Sequence, residues 1–456
     1  MKLRMLVVIF PLILTLLVPS SAGQLARHVP LPADLQGELN GVPYRIRVPE
    51  NWNGTLLVYA YGYAEAFMPP PLAPPSVNVE TLLAKGLALA GIHAAGAVPI
   101  PGAATDAGWN FKERMQNTVA LTAAFHGLVG RPRRTIMWGQ SMGGLVTLAL
   151  IEKFPGLYDG AVPLCAPGAG TPRMFDQKLD ITLAYAVAFG WNDAWGTPGN
   201  LRDDLNFMTE VYPHVLQQLI PEKKGLWEFL RLVNRIPADS SFYGPVNYRA
   251  ITLWLSIAIR PDMEQRAGGP VAQNIGRVYT LSDADKSYLL NQFGLDAEPQ
   301  LAAMNAQTIY ASDRNARRYA EHYYNPSGRI KRPVLTLHTT GDAAVIPNNE
   351  SAYRTTVQQH GNRKLLMQQF STGNGVVNTH CTFTPAQILA GIDGMMYWLD
   401  TGKRPDPAVF FPPALGFDPN FVPPPWPWHD WDRDRDRDRG WDADRHEDRH
   451  ENHDHR

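Results

Sequence analysis

The chain has 456 residues, 45% of them hydrophobic and 19% charged, with a formal net charge of -1. That balance excludes a wholly disordered, collagenous or disulfide-dense chain, and it supplies no bulk positive field for nucleic acid. The length exceeds that of a typical domain, so one large domain with an insertion, or two domains, is expected.

Lys2 and Arg4 precede an apolar run at 6–18 and the small residues Ser20, Ser21 and Ala22. A basic start, a short apolar stretch and small residues at the −3 and −1 positions form the pattern of a secretory signal peptide. Cleavage after Ala22 and a secreted or periplasmic location are therefore expected. The run is well short of the roughly 20 apolar residues that a spanning helix needs. No second long run follows, so the mature chain is expected to lack a transmembrane segment. No Cys lies near the cleavage point, which argues against lipid attachment there. In an oxidising compartment the two cysteines, Cys165 and Cys381, allow a single intramolecular bridge.

After the signal, 36–39 and 44–48 flank Asn40-Gly41, a dipeptide that accepts positive φ at both turn positions, and predict an antiparallel hairpin. Residues 55–60 (TLLVYA) read as a buried strand ending at Tyr61-Gly62-Tyr63. Helical spacing at 79–85 breaks at Gly86, and 87–94 can follow as a strand. A helix over 110–129 stops at Gly130-Arg131-Pro132. A strand at 135–138, a Gly-rich turn, a helix to about Phe154 and a strand at 159–164 complete the first part. Strands and helices alternating at this spacing predict βαβ units in a mostly parallel sheet with helices on both faces. Ligands of such sheets bind at the carboxyl ends of the strands.

From about 167 to 329 the pattern is mainly helical, interrupted by Pro and Gly and rich in Trp and Tyr, which reads as an inserted helical cap. Strands resume at 334–339 and 364–370. Thr384-Pro385-Ala386-Gln387 then offers Thr at N-cap, Pro at N1 and Gln at N3, a capping box, and the helix it opens keeps an apolar face to Leu399. Beyond Gly402 the chain is Pro-rich, then carries Asp-Arg repeats at 432–439 and a His-rich end. Such alternating charge buries no core, so a disordered tail is expected. Adventitious metal chelation by His429, His446, His450, His453 and His455 is the alternative to a simply solvated tail. The expected division is a signal at 1–22, a core at 23–166 and 331–402, a cap at 167–330 and a tail at 403–456.

The chemistry centres on Gly139-Gln140-Ser141-Met142-Gly143, a G-x-S-x-G between a strand and a helix. A tight strand-to-helix turn lifts the Ser hydroxyl above the sheet, and small neighbours relieve its crowding. The helix N-terminus favours a developing anion there. A serine hydroxyl needs a base and an orienting acid, which in this architecture follow in the order Ser, acid, His. Asp342, just past the strand at 334–339, and His380, in the loop before the capped helix, meet that order. His338 points from inside a strand and reads as structural. His93 and His126 precede the serine, and Asp393 falls within the last helix. Two backbone donors are needed for the oxyanion. One is expected from Met142, after the nucleophile, and the other from Tyr63; the alternative is that Tyr61-Gly62-Tyr63 only ends its strand.

With these motifs in place, residues from about 35 to 402 resemble the α/β-hydrolases, whose fold, catalytic order and variable inserted cap are then expected here. Tyr61 stands where many members have His before the oxyanion Gly. His380-Cys381 also resembles tannase and feruloyl-esterase relatives, in which a Cys after the catalytic His bridges to a Cys before the nucleophilic Ser. Residue 140 is Gln, so that pairing is not available; Cys165, ending the neighbouring strand, is the expected partner of Cys381. Two buried free thiols are the alternative.

The function expected is that of an exported serine hydrolase acting on small-molecule or polymeric carboxylic esters, with no metal or organic cofactor and no nucleic-acid partner. A serine peptidase of the same fold, aminopeptidase-like, is the second reading, and a non-catalytic binding protein the third. Aromatic residues of the cap, including Tyr185, Trp191 and Trp195, suggest an apolar or aromatic substrate group unless they are simply its core.

Overall fold

A computed structural model describes residues 29–63, 70–93, 108–238, 249, 252–375 and 377–428. The expected signal peptide and the charged repeats with their His-rich end lie outside the described residues.

The chain opens on β1 (Ala33–Leu39) and β2 (Val42–Val48), paired antiparallel about Asn40 and Gly41. Both turn residues have positive φ, 54° and 75°, as a two-residue hairpin turn demands. Then come β3 (Thr55–Ala60), α1 (Val79–Ala84), β4 (Leu87–Ile92), α2 (Phe111–Leu128), β5 (Arg134–Gln140), α3 (Met142–Lys153) and β6 (Gly160–Leu164). The helical insertion runs from α4 (Thr171–Phe189) through α5 (Tyr212–Gln217), α6 (Lys224–Val233), α7 (Arg260–Ala267), α8 (Asp283–Phe293) and α9 (Glu298–Asn305) to α10 (Arg314–Tyr324). The sheet is resumed by β7 (Val334–Thr339), α11 (Asn348–Gln359) and β8 (Leu366–Ser371), and α12 (Pro385–Thr401) follows. The last strand starts at Leu366, because Arg363–Leu365 form a short 3-10 turn first.

The strand order is β1-β2-β4-β3-β5-β6-β7-β8. The β1–β2 and β2–β4 ladders are antiparallel and the others parallel. Side chains alternate between the two faces of a strand, so Leu56, Val58 and Ala60 of β3 join the core beneath α2 and α3. Leu57 and Tyr59 join the opposite core, where Ile388, Ile392 and Trp398 of α12 pack. A layer of helices therefore covers each face, and the parallel strands inside the sheet are buried almost throughout, as near-continuous apolar runs require, while Gln368 and Gln369 of the edge strand β8 are only half-buried. Among the described residues no helix is long and apolar enough to cross a membrane.

Residues 403–428 differ from the tail expected beyond Gly402. Phe411 and Phe417 are 1% and 3% exposed, and Phe417 bridges to Ser371 at the open edge of β8. The aromatic residues scattered among the prolines supply the apolar surface that this stretch buries, and they cap a sheet edge that would otherwise be exposed.

Candidate active site

Ser141 sits between β5 and α3 with φ 57° and ψ −124°, a conformation that L-residues rarely adopt and that persists only where the surroundings impose it. Its amide donates to the Leu164 carbonyl at 2.9 Å, tying the turn to β6. The flanking glycines are demanded by closeness: a Cβ on Gly143 would lie 2.0 Å from the Ala60 carbonyl oxygen, and one on Gly139 2.4 Å from the same atom. This contact also sets the end of β3 against the start of α3. Ser141 occupies the N-cap position but makes no side-chain capping bond; its hydroxyl is engaged elsewhere.

His380 brings its Nε2 to 2.9 Å from Ser141 Oγ and its Nδ1 to 2.7 Å from Asp342 Oδ2. A carboxylate at Nδ1 places the proton there, leaving Nε2 to accept from the serine hydroxyl. Asp342 is fully buried, and its other oxygen accepts from the amides of Ala344 and Val345 at 3.0 and 2.8 Å. The two loops are stitched together. Thr339 Oγ1 donates to the Thr379 carbonyl at 2.6 Å, the Gly341 amide to Asn378 Oδ1 at 2.9 Å, and Asn378 Nδ2 to Thr340 Oγ1 at 2.9 Å.

Cys381, the next residue, is disulfide-bonded to Cys165 across a sequence separation of 216, with Cα atoms 5.6 Å apart. Cys165 directly follows β6, so the bridge joins the strand beside β5 to the loop that carries His380. Cys165, His380 and Cys381 form a grouping of metal-ligating types among the described residues. With both sulfurs in the bridge, a single imidazole remains, which makes no metal site.

Behind Asp342, His338 is buried with its Nε2 2.8 Å from the Val345 carbonyl and its Nδ1 3.1 Å from Glu350 Oε1. Glu350 Oε2 accepts from Thr336 Oγ1 at 2.7 Å and from Gln368 Nε2 at 2.5 Å. Burial alone would lower the His338 pKa, but the Glu350 carboxylate, with Asp342 beyond it, outweighs burial and raises it. His338 is thus structural in its contacts, yet its Nε2 stands 3.6 Å from Asp342 Oδ2. His93 is buried beside Tyr61, and Asp393 pairs with Lys85 on the surface.

Met142 is the first residue of α3, where an amide has no intrahelical acceptor. Tyr63 lies in the turn beyond β3, buried. That turn is held by Arg114, a buried residue of α2 that pattern reading leaves on the helix surface. Its Nη1 donates to the carbonyls of Tyr61 and Gly62 at 3.1 and 3.4 Å, and its guanidinium stands 4.0 Å from the Tyr61 ring centre. Around the Tyr63 ring stand Trp109 at 6.5 Å and Trp254 at 5.8 Å, with Phe175 of α4 at 5.1 Å from Trp109. Of the two readings of the cap aromatics, substrate contact or core, the contacts here are those of core. Tyr185 and Trp195 are 2% and 3% exposed, and Tyr185, Trp191, Trp195 and Trp227 pack on one another as the core of the insertion.

The strand order, the elbow after β5, the acid turn after β7 and the histidine loop after β8 together make this the α/β-hydrolase fold. No family model matches the chain. It is 25% identical over 449 residues to an o-phthalyl amidase from Xanthobacter agilis, covering 84% of this chain and 91% of that protein. Similar solved structures include feruloyl esterase B from Aspergillus oryzae, with TM-score 0.40, 13% identity and 82% of each chain covered. Another is the proline iminopeptidase of Mycobacterium smegmatis, with TM-score 0.36 and 12% identity over 81% of this chain and 99% of that one.

Proposed function

We propose that the chain is an exported serine hydrolase that cleaves carboxylic esters through an acyl-enzyme, with Ser141 as nucleophile, His380 as general base and Asp342 as its orienting acid. The observation that carries this reading is the continuous pair of hydrogen bonds, 2.9 and 2.7 Å, from Ser141 through His380 to Asp342 on a strained elbow. His380 Nε2 takes the hydroxyl proton as Oγ bonds to the acyl carbon. The amides of Met142 and Tyr63 meet the oxyanion. Collapse of the tetrahedral adduct expels the alcohol, which leaves with the proton from His380. Water then gives a proton to His380 and attacks the acyl carbon, and the second adduct collapses as His380 returns that proton to Ser141 Oγ, releasing the acid and free Ser141.

An amide is the second substrate class that an observation favours, because the similar Xanthobacter agilis protein is an o-phthalyl amidase. An aromatic acyl group also suits the rings of Tyr63, Trp109, Phe175 and Trp254 beside the oxyanion turn. An aminopeptidase needs a free carboxylate for the substrate amine. Asp262 of α7, beside Tyr63, is paired with Arg266, whose Nε donates to it at 2.8 Å, and it also accepts from the Trp109 amide, so its charge is already matched by a cation.

The test is turnover of p-nitrophenyl esters of several chain lengths, a phthalyl amide and aminoacyl anilides, each with Ser141→Ala as control. Ester turnover lost in the variant supports the esterase reading. Faster Ser141-dependent cleavage of the amide moves the assignment to amidase, and loss of neither in Ser141→Ala overturns both. A mature N-terminus at Gly23 on the exported protein checks the signal.

A further inference from the structure

Two amides hold Asp342, and they belong to a turn that is itself gripped from outside. The Val345 N–H that donates to Asp342 Oδ1 at 2.8 Å shares a peptide plane with the Ala344 carbonyl, and in a trans peptide these groups point opposite ways. That carbonyl accepts from Lys178 Nζ at 2.9 Å. Lys178 belongs to α4, the first helix of the insertion, and is only 1% exposed. Its other acceptor is Gln177 Oε1, at a long 3.4 Å. Both acceptors are neutral, and a buried ammonium without a carboxylate partner costs stability. Desolvation lowers its pKa to about 8, with the Asp342 carboxylate opposing the fall. An apolar side chain would spare the buried charge but leave the Ala344 carbonyl without the donor it has here, so what the position supplies is a charged donor to that one peptide.

We propose that Lys178 is a positioning residue for the acid turn: its ammonium polarises the 344–345 peptide whose N–H binds Asp342, and so fixes the carboxylate that orients His380. The proposal deepens, and rests on, the reading of Ser141, His380 and Asp342 given above. A chain of donors and acceptors then runs from Lys178 Nζ through the Ala344–Val345 peptide and Asp342 to His380 and Ser141. Such chains strengthen cooperatively in a low dielectric. Among the described residues, the other titratable groups facing Asp342 are His380 on its front and His338 behind, the latter paired with Glu350. Because α4 belongs to the insertion, the same contact ties the insertion to the acid turn.

The test compares Lys178→Met and Lys178→Arg with wild type and Ser141→Ala, reading kcat and KM for p-nitrophenyl butyrate against pH, together with Tm. Lys178→Met is expected to lower kcat about tenfold, the scale of one charge-assisted hydrogen bond, with KM little changed. Its acid limb is expected to move to higher pH, since removing a nearby positive charge favours protonation of the base. Its Tm is expected to change little, because relief of the buried charge opposes the loss of the Ala344 carbonyl's donor, and Lys178→Arg to keep most of the activity. A residue with a structural role alone would lower Tm and leave the pH profile in place. Wild-type kcat with an unmoved acid limb in Lys178→Met overturns the proposal. If that variant does not accumulate folded, Lys178→Gln, which keeps a donor for the Ala344 carbonyl without the charge, is judged by the same two outcomes. Turnover that survives Ser141→Ala overturns the underlying reading of the site. Ser141-dependent turnover indifferent to Lys178 overturns only the role given to Lys178.

Discussion

Cys381 bonds to Cys165 immediately beside His380, with its sulfur 3.6 Å from His380 Nε2. Both cysteines have left-handed backbones, φ 42° and 55°, so the bridge pins two turns that ordinary L-residues would leave. Reduction, or Cys381→Ser, is therefore expected to cut turnover by loosening the histidine loop, and to lower stability by about 2–5 kcal/mol, the usual cost of losing a native disulfide. Ester hydrolysis and Tm measured with and without reductant check this. Full activity in a protein shown by thiol counting to be reduced would contradict it.

Single substitutions of the three hydrogen-bonded residues should be unequal in kind. Ser141→Ala removes the proposed nucleophile and His380→Ala the proposed base. Asp342→Asn leaves a near-isosteric group that favours the wrong imidazole tautomer, and a loss of about 10⁴ in kcat is expected for that change in a Ser-His-Asp arrangement. Asp342 is fully buried and held by two amides, so Asp342→Asn should keep the fold. Circular dichroism alongside single-turnover rates separates loss of chemistry from loss of structure.

The His338–Glu350 pair predicts a pH-dependent contribution to stability of definite sign. The folded pKa of His338 is raised above its ordinary value because the Glu350 carboxylate outweighs burial. A raised folded pKa means that the native state holds this proton more tightly than the unfolded chain. The stabilisation is then complete below the unfolded histidine value of about 6.5 and is lost as pH rises through the folded value. His338→Gln should therefore destabilise most at mildly acid pH, with the Tm difference from wild type narrowing above neutrality. A difference independent of pH would show that the pair is not ionic.

Much of this arrangement was legible in the sequence because it rests on local rules. The hairpin at Asn40-Gly41, the uniformly apolar β3, the elbow glycines and the capping box at Thr384 are each dictated by nearby backbone chemistry, and the structure forms them where that chemistry puts them. Charged residues that work from inside were not legible. Arg114 and Lys178 are buried, at 4% and 1% exposure, whereas pattern reading sends Arg and Lys to the surface. Their acceptors, the carbonyls of Tyr61, Gly62 and Ala344, are backbone groups distant in sequence that carry no residue-type signal. The packing of 403–428 was hidden for a related reason, since Phe411, Phe417 and Trp426 are spaced by prolines without helical or strand period.

Arg114 carries the last prediction. Its guanidinium holds the carbonyls of Tyr61 and Gly62, and its Nε donates to Asn110 Oδ1 at 2.7 Å. The Gly62 carbonyl and the Tyr63 N–H belong to one peptide, so anchoring the carbonyl on Arg114 aims the N–H the opposite way. If Tyr63 is an oxyanion donor, Arg114→Met leaves the amide present but free to turn. The expected loss in kcat is about tenfold or more, below the roughly 10²–10³ that removal of an oxyanion donor costs, while KM changes little. Lys cannot reproduce the forked contact to two carbonyls and a side-chain amide, so Arg114→Lys should recover only part of the rate. Inhibition by a boronic acid, whose tetrahedral adduct mimics the oxyanion, should weaken in parallel with kcat across these variants. A boronate affinity that stays at the wild-type value while kcat falls would place the effect of Arg114 outside the oxyanion turn.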